Sequence, residues 1–193
     1  MADHPPLKRL KGVHHAAYRC RDAEQTRWFY ETVLGLKAAA GLIIEVTPGS
    51  GADDPYMHIF FALPSGDYVA FFDAPGSAAP DWFKRKHGFD MHFAFEVDTE
   101  AEMLAMQERI RSFGIACLGP IDHHFVKSVY MYDPNGIQVE ITVRTEQHDP
   151  ILAHEGSILD EQLKLWSART RAQKIAKFGA DALNARSDMP ARA

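Results

Sequence analysis

Apolar and polar positions along this chain change period in a repeating order. Residues 12–22, GVHHAAYRCRD, open with a small-apolar run of strand length. The next stretch, AEQTRWFYETVLGLKA, places apolar side chains at Trp28, Phe29, Val33 and Leu34. That spacing predicts a helix, with Gly35 as its stop. Three strand-like runs follow, IIEV, YMHIFFAL and DYVAFFD, separated by the turn-rich TPGSGADDP and PSG. The order then repeats. MHFAFEV reads as a strand, and TEAEMLAMQERIRSFG as a helix with an apolar stripe at Met103, Leu104, Met106 and Ile110 that stops at Gly114. IACLGPI, FVKSVYMYD and IQVEITV read as three more strands, with the strong turn DPNG between the last two. Each half is strand, helix, three strands. Module one covers about 10–74 and module two about 88–145, with Pro75 to Phe89 as linker.

Beyond Thr145 the pattern breaks. Residues 158–183 predict a C-terminal helix anchored by Leu159, Leu163, Leu165 and Trp166, and the last residues, NARSDMPARA, read as frayed. The expected division is 1–145 for the repeated domain and 146–193 for a helical tail. The fold class is α+β.

The repeat also selects chemistry. His15 and His92 fall in the first strands of the two halves, with Asp22 and Thr99 each seven residues later. Gly66 matches Gly136 in the closing turns, so Ala70 matches Glu140. Three of four equivalent positions therefore carry metal-ligand types, and Ala70 does not coordinate. Glu140 lies inside the apolar strand IQVEITV, where an acid is costly unless paired or bound to a cation. Two imidazoles and one carboxylate with open positions form the facial triad used by non-haem iron. His14 neighbours a ligand and points to the opposite side if its strand is regular.

Composition narrows the classes. Hydrophobic residues make up 46% and charged residues 24%, which is globular, and a net charge of −5 favours neither nucleic acid nor an anionic membrane. No run reaches the ~20 apolar residues of a bilayer span, and MADHPPLKRLKG has no apolar core of a secretory signal. Cys20 and Cys117 are lone thiols, which suggests a reducing, cytoplasmic setting.

GVHHAAYRCRD with WFYETVLGL, MHFAFEV, and YMYDPNGIQVEIT together resemble the vicinal oxygen chelate superfamily, across about residues 10–145. This group includes glyoxalases, bleomycin and fosfomycin resistance proteins, epimerases and type I extradiol dioxygenases. The resemblance implies paired βαβββ modules whose curved mixed sheet encloses a metal. Glyoxalases of this group use four protein ligands, whereas ring-cleaving extradiol dioxygenases use His, His and Glu. The triad His15, His92, Glu140 with Ala70 vacant therefore implies the latter, with Fe(II), or Mn(II) or another divalent ion, as cofactor. The substrates implied are a small aromatic catechol or hydroquinone and O2. Tyr130 stands ten residues before Glu140, where those enzymes carry a tyrosine, and His123 stands where hydroquinone-type members have a basic residue. His123 or His124 would transfer protons beside Tyr130. His14, Asp67 and Tyr68 would meet the substrate, the last two because GDYVAFF replaces the acid–base histidine of catechol-type enzymes. Family habit implies a homodimer or higher homo-oligomer. A glyoxalase-like isomerase or lyase and a bleomycin-resistance-type binding protein are the alternatives.

Overall fold

The computed structural model describes residues 9–185, which fall into two compact units divided between Thr145 and Glu146. The first unit holds both modules. Module one is β1 (His15–Cys20), α1 (Ala23–Arg27), β2 (Lys37–Ile44), β3 (Tyr56–Ala62) and β4 (Tyr68–Asp73). Module two is β5 (His92–Glu96), α2 (Glu100–Ser112), β6 (Leu118–Asp122), β7 (Val126–Tyr132) and β8 (Gln138–Arg144). Their strand orders are the same, β1-β4-β3-β2 and β5-β8-β7-β6. In each, the first strand runs parallel to the last and the other pairs are antiparallel.

Local chemistry explains the helices. Asp22 caps α1 by accepting the Gln25 amide, and Thr99 caps α2 in a reciprocal box with Glu102. The two residues seven positions after the histidines are therefore helix caps. Gly35 and Gly114 follow the helices with φ of 83° and 77°. The first helix differs from its expected form. After Arg27 it widens into a π-turn over Trp28–Val33, which brings Phe29, Tyr30 and Val33 inward and leaves Trp28 exposed. β2 begins at Lys37, two residues past the Gly35 stop and ahead of the expected run IIEV, while Glu45 and Val46 lie beyond it. In α2 the inward residues are Met103, Gln107 and Ile110; Leu104 is exposed.

One apolar core joins the modules, with Phe29, Tyr30, Phe61 and Phe71 from one and Met103, Ile110, Val129 and Val139 from the other. Polar ties sit beside it. Tyr30 donates its hydroxyl to Asp133 at 3.0 Å, and Asn135 donates to Thr26 at 3.2 Å. Arg109 donates to the carbonyls of Val33 and Thr32 where the π-turn ends. The turn DPNG thus serves as a lock between modules as well as a turn. Burial pushes the Cys20 thiol up to about 12, so it is a protonated packing group.

In the second unit α3 (His148–Ser157) precedes the expected helix, which is divided at Gly179 into α4 (Leu159–Phe178) and α5 (Ala180–Asn184). Leu159, Leu163, Leu165 and Trp166, expected as anchors, remain about half exposed. The expected fraying of 186–193 lies outside the described residues. No helix among them is long and apolar enough to cross a membrane.

Candidate metal centre

Strand alternation divides each sheet into a core face and an open face. In module two, Val139 and Ile141 face the core, which sends Gln138, Glu140 and Thr142 to the other side. Register places Tyr130 opposite Glu140, and His92 beside Gln138. The sequence equivalence of the halves holds here, because His15 sits beside Tyr68 as His92 sits beside Gln138, and Phe60 lies opposite Ala70.

His92 Nε2 stands 3.8 Å from Glu140 Oε2. Its Nδ1 lies 2.5 Å from the carbonyl of Gly88, which makes Nδ1 the protonated nitrogen and leaves the Nε2 lone pair on the Glu140 side. A histidine oriented through its second nitrogen by a carbonyl is the usual arrangement for a metal ligand. Glu140 is 7% exposed, and no lysine or arginine pairs with it among the described residues. A buried carboxylate with no lysine or arginine beside it is poorly compensated unless a cation joins it. The donor set fits a divalent ion of the first transition row.

Tyr130 projects over the same face, and its hydroxyl is hydrogen-bonded to His123 Nε2 at 2.7 Å. Burial raises the pKa of the Tyr130 phenol, and the Glu140 charge adds to the rise, so the phenol keeps its proton at neutral pH. These groups line a cavity of about 620 Å³ whose apolar wall includes Phe89, Ile121, Phe125 and Val126. His87, which the sequence reading did not single out, also lines it. Its position in the linker five residues before His92 was the available signal. His124 is a turn residue with φ of 71°; its amide binds Asp122, and its side chain is not part of the cavity wall.

His15 lies in a different setting. Its Nδ1 is 2.8 Å from Nδ1 of His14, and its ring meets those of His58 and Phe60. His14 precedes the first residue of β1, so strand alternation does not send it to the opposite face; it is exposed and touches Tyr68. Asp67 sits in the turn before β4, its amide against the Ser65 hydroxyl. Among the described residues, no three His, Cys, Asp or Glu side chains gather at one ion's spacing. One chain thus presents two partial sites, His92 and Glu140 with Tyr130 and His123 in module two, and His14, His15 and His58 in module one.

The family described as the glyoxalase/bleomycin resistance protein/dioxygenase superfamily matches residues 12–141. No curated relative matches. Among solved structures, a glyoxalase/dioxygenase from Nostoc punctiforme is 28% identical, covers 75% of this chain and 100% of its own, and superposes with a TM-score of 0.56. A glyoxalase/bleomycin resistance protein/dioxygenase domain from Frankia sp. EAN1pec is 22% identical over 73% of this chain and 98% of its own, with a TM-score of 0.58. The fosfomycin resistance protein FosX from Listeria monocytogenes is 19% identical over 72% and 98%, with a TM-score of 0.52. The last two likenesses attest the fold alone. With its family match spanning most of both βαβββ modules, the chain belongs to the glyoxalase/bleomycin resistance protein/dioxygenase superfamily.

Proposed function

We propose that this chain is a metal-dependent oxygenase of the extradiol type, in which His15, His92 and Glu140 hold one Fe(II) and the aromatic ring of a catechol or hydroquinone is opened with O2. The observation that carries the reading is the His92–Glu140 pair, oriented through Gly88 and facing the Tyr130–His123 hydrogen bond across one cavity. Fe(II) held there supplies the redox chemistry between an electron-rich aromatic diol and dioxygen. The chain's own residues do the rest. Phe89, Phe125 and Val126 bind the apolar ring and exclude water. The Tyr130 phenol holds a proton at the diol oxygens, and His123 Nε2 takes or returns it.

His15 does not join the pair within one chain, so the reading includes a second copy whose His15 completes the triad. The two partial sites of a chain are complementary, and Phe89 at the cavity rim is 95% exposed. A homodimer then carries two whole sites.

Lewis-acid chemistry without oxygen is the second reading. What favours it is the fold shared with FosX, solved with Mn(II) and a dihydroxypropylphosphonic acid at 18% identity and a TM-score of 0.51. Metal analysis with oxygen uptake on a panel of catechols and hydroquinones separates the two. No oxygen consumption by the iron-loaded protein with any diol defeats the first reading. Glu140→Ala is expected to abolish metal binding; retention of the metal would remove the site assignment itself.

A further inference from the structure

We infer that His58 supplies a further nitrogen donor to the ion held by His15, in the place where Ala70 provides no carboxylate. The inference rests on the metal reading above. It starts from strand register. Phe60 of β3 lies opposite Ala70, and His58 lies opposite Phe72 one pleat further along. Ile59 and Phe61, the alternate residues, are buried in the core, so His58 and Phe60 share the open face with His15 and Ala70. In module two the residue equivalent to His58 is Ser128, whose hydroxyl is engaged with Thr142 at 2.9 Å. The half that lacks the carboxylate thus carries an imidazole that the other half does not.

The state of that imidazole points to a ligand. His58 is 9% exposed, and its Nε2 is buried with no hydrogen-bond partner among the described residues. Buried polar nitrogens are paired in nearly all proteins, and an unpaired one calls for a partner outside the chain. The ring is held in plane by Phe72, stacked at 3.9 Å and 22°, and by Phe60 at 4.1 Å. His15 is its other ring neighbour, with centroids 5.9 Å apart. Two imidazoles sharing one ion through bonds of ~2.1 Å place their ring centres roughly 5 Å apart. The His15 ring is exposed at the start of its strand, and its centre stands within about 1 Å of that spacing from His58. Full burial of Ala70 shows that the space a longer side chain would need is already filled on this face.

The test uses the full-length protein, stripped with a chelator and titrated with Co(II) in competition with a chromophoric chelator. His58→Gln is expected to weaken Co(II) by about tenfold or more and to change the visible ligand-field bands. His58→Ala combined with Ala70→Glu is expected to regain affinity, because the carboxylate enters the vacated space. Independently of any variant, the wild-type Co(II) protein is expected to show hyperfine-shifted N–H signals from three histidines. Unchanged affinity and bands in His58→Gln, or signals from only two histidines, would overturn the inference while leaving the triad intact. Undiminished Co(II) binding by both His15→Ala and Glu140→Ala would instead bring down the metal reading, and this inference with it.

Discussion

The chemistry of the site depends on how single side chains are compensated. Glu140 is buried beside an imidazole whose tautomer the Gly88 carbonyl sets, and under the proposed function a cation balances the pair. Tyr130 keeps its proton because burial and the Glu140 charge both disfavour the phenolate. Tyr130→Phe should lower turnover by about 10²–10⁴-fold, the range for a positioned acid–base group, and leave metal content unchanged. Metal analysis of the variant checks this, and loss of the ion would make Tyr130 a structural support. Among individual residues, the equivalence of His15 with His92 and of Ala70 with Glu140 was legible because the repeat aligned them without reference to their chemistry, and strand register bears that equivalence out. His58 was not, since a lone histidine in the apolar run YMHIFFAL reads as core until register shows which face it shares.

Turns and helix ends do much of the positioning among the elements. Asp22 and Thr99 start helices, so the acid seven residues after His15 is explained by capping. The π-turn at Trp28–Val33 escaped the sequence pattern because an apolar stripe specifies a helix and a buried face, while one widened turn rotates which residues lie on it. The closing turn of module two is tighter than its sequence implied. Gly136 has φ of 76°, and a Cβ there would lie 2.4 Å from the Lys84 carbonyl oxygen, on the linker that leads to His87 and His92. Gly136→Ala should therefore destabilise the protein by roughly 3 kcal/mol, combining left-handed strain with a backbone clash. Urea unfolding measures the loss. A variant as stable as wild type would show that the linker moves aside freely.

Over the whole molecule, the modules are joined by a shared core and by Tyr30–Asp133 and Asn135–Thr26. Yet among the described residues the proposed metal donors do not gather in one place. On the proposed reading, chains carrying His15→Ala and chains carrying Glu140→Ala each bind no metal alone. Mixed in equal amounts and re-associated at random, they should regain about a quarter of the wild-type sites, since about half the dimers are mixed and one of the two shared centres in each contains no altered residue. Metal content of the mixture measures this; a mixture as empty as its components would place His15 in the same centre as Glu140 of its own chain. The sequence by itself determined the two βαβββ modules, their helix stops, and the equivalence of His15 with His92 and of Ala70 with Glu140. These follow from hydrophobic period and turn chemistry, which are local and repeat. Only the tertiary structure decided that His92 and Glu140 meet while His15 does not, that Asn135 locks the modules, and that an unpaired His58 stands beside His15. Such facts depend on strand register and on how two sheets share one core, and no period along the chain encodes either.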